Sequence, residues 1–111
     1  MKKIILLITI CFLMSVISNA QTAKRGRCLL EVNGKKYISG ACKIEMDKDG
    51  SFRIYDLKKR GFFAYVNMAD VGAVGYWNGP NRDSHAHENL GELFRNGGCW
   101  EGENAKVCAW R

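Results

Sequence analysis

Proline is all but missing from this 111-residue chain: Pro80 is the one instance. No stretch is low in complexity, no linker interrupts the chain, and no repeat of solenoid period is visible. Disorder and repeat arrays are thereby excluded as its main organisation. Helical periodicity is sustained nowhere, which excludes a helical bundle; Ala86 to Leu90 is the one short helical turn the pattern allows. Long apolar runs are lacking too. The longest, Ile4 to Ile17, has about 14 residues, where a bilayer span needs roughly 20.

That short run has a specific meaning. Lys2 and Lys3 precede it and Ser18-Asn19-Ala20 follows it. A charged start, an apolar block and a small-residue exit form a secretory signal peptide, residues 1–20. Cleavage is expected after Ala20, with export through the Sec route to the periplasm or the extracellular space. Residues 21–27 are expected as a flexible basic N-terminus and 28–111 as a single disulfide-stabilised β domain. Cys11 lies inside the apolar block behind Ile10, where lipoprotein processing wants a small residue, so no membrane anchor is expected after signal cleavage.

Removing Cys11 turns five cysteines into four: Cys28, Cys42, Cys99 and Cys108. An even count in a small exported chain implies disulfides. Four cysteines allow three connectivities, and sequence leaves all three open. Local pairing, Cys28–Cys42 with Cys99–Cys108, is the expectation, because each bridge spans one predicted hairpin at low entropic cost. Loops of this length contribute roughly 3 kcal/mol each, a large share of the roughly 5–15 kcal/mol that stabilises a small domain.

Removing Lys2 and Lys3 from the 17 basic residues leaves 15 against 11 acidic ones, a net charge of +4. The excess is densest at Lys24-Arg25-Gly26-Arg27 and at Lys58-Lys59-Arg60. Such runs are read as a solvated terminus and a solvated turn. No aromatic-and-basic motif of a nucleic-acid module accompanies them, so no nucleic-acid partner is expected.

What is present is mostly period two. Cys28, Leu30 and Val32 alternate toward Asn33-Gly34, a two-residue hairpin signal. Tyr37 and Ile38 start the return, with a bulge expected at Gly40 before Cys42. Ile44 and Met46 lead to Asp49-Gly50; Phe52 and Ile54 alternate beyond it. Phe62 to Val66 is a dense β-favouring run, and Val74, Tyr76 and Trp77 make the next strand. Gly97-Gly98 turns the chain into a last hairpin, where Cys99 and Cys108 fall opposite each other. About seven short strands imply an all-β fold, a small antiparallel barrel or sandwich stapled by two disulfides.

Three features invite functional readings, each with a plainer one beside it. His85 and His87, with Asp83 or Glu88, are able to supply zinc or copper ligands. The plainer reading is a loop whose histidines bond to backbone, and no cofactor is expected. Ser84 beside His85 names a nucleophile and a base. Adjacency is not the needed geometry, though, and no nucleophile-elbow glycines surround Ser84, so no enzymatic activity is expected. Tyr76-Trp77 must split between two strand faces, which places one of them at a rim beside the irregular loop that follows. Binding contacts are therefore expected from Trp77, Asn78, Arg82, His85 and His87.

The runs Trp77-Asn78-Gly79, Ser84-His85-Ala86-His87, Leu90-Gly91, Gly98-Cys99-Trp100 and Cys108-Ala109-Trp110-Arg111 resemble a group of small exported, mainly alphaproteobacterial, proteins without an assigned activity. The resemblance covers roughly the second half of the chain and implies export and common descent, but carries over no site residue. In architecture and compartment alone, the chain is also similar to periplasmic lysozyme inhibitors. The expected function is a secreted or periplasmic, non-enzymatic binding module, an inhibitor or Sec-exported effector acting on a protein partner. The alternatives are a histidine-based metal-binding envelope protein and a purely structural envelope protein.

Overall fold

The computed structural model describes residues 23–111. The expected signal peptide, Cys11 and the first two residues after the cleavage point lie outside the described residues. Eight strands follow one another: β1 (Lys24–Val32), β2 (Lys35–Met46), β3 (Phe52–Asp56), β4 (Phe63–Met68), β5 (Ala73–Trp77), β6 (Glu88–Asn96), β7 (Cys99–Glu101) and β8 (Ala105–Trp110). Each pairs antiparallel with the next, and β8 pairs with β1, so the meander closes into a barrel. A barrel rather than a sandwich is the outcome.

Alternation directs the side chains. Cys28, Leu30, Ile38, Cys42, Ile44, Phe52, Ile54, Ala64, Val66, Ala73, Leu93 and Val107 form one buried cluster inside the barrel. Eight strands enclose a space just wide enough for side chains to fill. Val32, Met68 and Trp100 extend the cluster, half-buried.

Asn33-Gly34 makes the expected tight turn, with positive φ at both residues (53° and 82°), the combination a type I′ hairpin needs. Gly26 is required for another reason. A Cβ there would collide with the Trp110 carbonyl across the β1–β8 seam, so only glycine lets the barrel close at this point.

Both expected disulfides form, Cys28–Cys42 and Cys99–Cys108, and they fit an oxidising environment. The first sits in the core and ties β1 to β2. The second joins directly opposed residues of β7 and β8. Val107 points inward, so its neighbour Cys108 lies on the other face of β8, where it is nonetheless fully buried, while Cys99 is half-buried.

Four expectations are corrected. Lys24 to Arg27 is not a flexible terminus: it is the first half of β1, paired with Ala41 to Ile44. The bulge in β2 falls at Tyr37 rather than Gly40, because Leu30 pairs with Ile38 while Glu31 pairs with Lys36. β6 runs from Glu88 to Asn96 and brings the strands to eight, where about seven were expected. There Gly75 pairs with Gly91 while Tyr76 pairs with Asn89, leaving Leu90 as the extra residue. The bulge resets the alternation, so Leu90 and Leu93 are both buried despite odd spacing. The helical turn at Ala86 to Leu90 is replaced by the approach to β6; no helix occurs among the described residues.

Connections alternate between the two ends of the barrel. One end, called here the loop end, carries Asn33-Gly34, the 57–62 loop, the 78–87 loop and the 102–104 turn. The other carries the 47–51, 69–72 and 97–98 turns.

Removing a bridge by paired alanine substitution should cost roughly 3 kcal/mol from loop entropy alone. Cys28→Ala/Cys42→Ala should lose more than Cys99→Ala/Cys108→Ala, because both of its sulfurs pack in the core. Urea unfolding of the two variants checks the order, and equal losses would contradict the inward placement of the first bridge.

Candidate functional site

Because β3, β4 and β5 are neighbours, the 57–62 and 78–87 loops lie side by side at the loop end. One buried residue joins them. Asn78, 1% exposed, accepts the Phe63 N–H on Oδ1 at 2.9 Å. Its Nδ2 donates to the Gly61 carbonyl at 3.2 Å and the Asp83 carbonyl at 3.1 Å. Its backbone N–H donates to Phe63 O and its carbonyl accepts from Asp83 N–H. Every polar group of the residue is satisfied, and both loops are held to it.

Each loop is also braced internally. Asp56 N–H donates to Phe62 O, Gly61 N–H to Lys58 O, and Arg82 N–H to Gly79 O. The Asp56 carboxylate accepts the Lys58 N–H at 3.1 Å, as Asx turns do.

Beneath the loops the barrel end is closed by aromatic rings. Tyr37 meets Phe62 edge-on at 5.1 Å and Trp77 at 4.6 Å. The β2 bulge brings Tyr37 into this group. Arg82 lies over the Phe62 ring at 5.5 Å and Lys35 over Tyr37 at 5.2 Å, both within cation–π reach.

Between the loops opens a cleft of about 620 Å³ lined by Tyr55, Lys58, Arg60, Phe62, Phe63, Arg82 and Ser84, with Asp56 and Asp83. Among the described residues, no ion pair engages Lys58, Arg60 or Arg82. A cavity of about 690 Å³ lies elsewhere on the barrel, beside the 102–104 turn and lined by Glu92, Glu101 and Glu103. It has no cation and no comparable aromatic floor, so the smaller cleft has the richer recognition chemistry.

Behind the cleft a polar network fixes its wall. Arg53 Nε donates to Glu45 at 2.9 Å, and its two terminal nitrogens donate to the Asp47 carboxylate. Those carboxylates, Asp47 foremost, hold the guanidinium charged well above its ordinary range. Tyr55 Oη donates to Glu45 at 3.1 Å. Burial, then the Glu45 charge and hydrogen bond, push the Tyr55 phenol up to about 12.

The residues expected as contacts separate into two groups. Arg82, His85 and His87 are exposed at the loop end. Trp77 is 4% exposed and plugs the barrel, and Asn78 is buried beside it, so neither is available to a partner. The rim residue of the Tyr76-Trp77 pair is Tyr76. His87 Nε2 lies 3.0 Å from Asp83 Oδ2, but among the described residues no three of His, Cys, Asp and Glu converge as metal ligands. No hydrogen bond joins Ser84 to either histidine among the described residues.

Sequence reasoning missed Lys58, Arg60, Phe62 and Phe63 as site residues. Their signal is a basic run followed, after Gly61, by two aromatics, a pattern that also fits a solvated turn leading into a strand. In comparisons with known proteins, no family model, curated protein or solved structure matches this chain.

Asn78→Ala should cost about 1–3 kcal/mol, since it strands buried donors and acceptors of both loops. Urea unfolding measures the loss, and faster hydrogen exchange at the Phe63 amide locates it. A raised phenol pKa contributes stability that is intact below the unfolded value near 10 and is lost as pH rises through 12. Urea midpoints between pH 9 and 11.5 should therefore fall, and fall less steeply in Tyr55→Phe. Parallel curves for the two proteins would contradict the assignment.

Proposed function

We propose that this chain is an exported, non-enzymatic binding module that engages another protein in the periplasm or outside the cell. The observation that supports the reading is the cleft between the 57–62 and 78–87 loops, which Asn78 holds together: it gathers Lys58, Arg60 and Arg82, none in an ion pair among the described residues, beside Phe62 and Phe63, with Arg82 set over the Phe62 ring. Aromatic groups and arginine dominate the energetics of protein interfaces, and irregular loops on a rigid β scaffold are where binding concentrates. The interior offers no competing site, because side chains fill it. Export is supported by the charged and apolar start of the sequence and by two disulfides that need an oxidising compartment. Inhibition of a foreign enzyme and action as an effector are both forms this module is able to take.

A photo-reactive residue replacing Ser84, in the cleft, should yield a protein adduct in the compartment where the chain resides. The same residue replacing Glu103, outside the cleft, should not, and Arg82→Glu should suppress the Ser84 adduct. Mass spectrometry of the adducts reads the result. Equal labelling from both positions would remove the cleft from the interface.

A further inference from the structure

The backbone at two arginines identifies what the cleft is built to hold. Among the described residues, three that are not glycine have left-handed φ: Asn33 at 53°, Arg60 at 57° and Arg82 at 57°. Asn33 is accounted for by its hairpin, where asparagine is a favoured residue. The arginines are not accounted for in this way. Arg60 is the third residue of the Lys58–Gly61 turn, closed by the Gly61 N–H to Lys58 O bond. With positive φ there, glycine is the usual occupant. Arg82 is the fifth residue of a six-residue turn closed by Asp83 N–H to Asn78 O and Arg82 N–H to Gly79 O. That pair of bonds has the Schellman pattern, whose left-handed position is again normally glycine. A side chain disfavoured by the backbone at both places is retained at both, and both line one cleft. Backbone strain of this kind concentrates where function requires it.

We infer that Arg60 and Arg82 grip a carboxylate on an acidic segment of the partner protein; this deepens, and rests on, the binding-module reading of the same cleft. Neither guanidinium has an ion-pair partner among the described residues, whereas Arg53 is held by Asp47 and Glu45, and Lys106 by Glu101. Arg82 is seated on Phe62, which leaves its in-plane N–H fork for a bidentate acceptor. The charge balance selects a single carboxylate over a polyanion. Lys58, Arg60 and Arg82 line the same cleft as Asp56 and Asp83, a surplus of one cation. Phosphate chains need a continuous basic track, and two carboxylates interrupt this one. Tyr55, Phe62 and Phe63 supply an apolar floor, which suits an acidic residue flanked by large apolar ones.

The test uses the oxidised protein and the peptide Leu-Leu-Glu-Leu-Leu, acetylated and amidated so that glutamate is its one carboxylate, followed by side-chain nitrogen resonances of the arginines. Arg60 and Arg82 should shift with the peptide and not with its equally blocked Leu-Leu-Gln-Leu-Leu counterpart. Arg60→Gly and Arg82→Gly should each weaken binding about tenfold, while leaving the urea midpoint unchanged or raised. Equal response to the glutamine peptide, or binding untouched by both glycine variants, overturns the inference. So does a urea midpoint lowered by both variants, which would make the arginines structural. A sulfated oligosaccharide or an oligonucleotide that shifts these arginines when the glutamate peptide does not also overturns it. A Ser84 adduct without response to the glutamate peptide sinks the ligand class and leaves the cleft standing. A response without any adduct sinks the binding-module reading instead.

Discussion

Closure of the sheet between β1 and β8 is the constraint on which the rest of this molecule depends. An open sheet of short strands would expose an edge, whereas a closed one satisfies its backbone throughout. Closure also sets the diameter, and at eight strands that diameter is consumed by Leu30, Ile54, Val66, Leu93 and their neighbours. A filled interior leaves the clefts to the outside of the barrel. Small features police the closure: Gly26 permits the close approach of Trp110, and the Cys28–Cys42 bridge ties β1 to β2 from the inside.

At the loop end, buried support and exposed charge fall to different residues. Trp77, Tyr37 and Phe62 plug the barrel and supply a rigid floor. Asn78 is polar yet buried, a combination tolerated only with full hydrogen bonding. It spends that bonding on holding two loops in register. Arg60 and Arg82 then project from positions that glycine would occupy with less strain. Trp77 and Asn78, expected as contacts beside Arg82, are thus buried supports, while Arg82 is exposed.

Much of the architecture was legible in the chain. Alternation marked most strands, Asn33-Gly34 and Gly97-Gly98 marked hairpins, and the cysteine spacing matched hairpin partners. What misled was phase. One extra residue at Tyr37 shifts the inward face of β2 and one at Leu90 that of β6, so the start of β6 resembled a helical turn. Bulges are invisible to a period count because each half of the strand is regular only within itself. The basic run before Cys28 misled differently: charge on the outer face of a strand looks the same as charge on a solvated tail.

The amino-acid order alone determined the elements that rest on near neighbours: strand pattern, tight turns, the local disulfides and the export-type start. Tertiary structure decided everything that rests on residues far apart. It turned Trp77 inward, placed Lys58 to Phe63 beside Arg82, and made Asn78 a brace rather than a contact. The physical reason is that a side chain's exposure depends on which strands become neighbours and in what register. A bulge of one residue reverses that outcome without leaving a mark in composition.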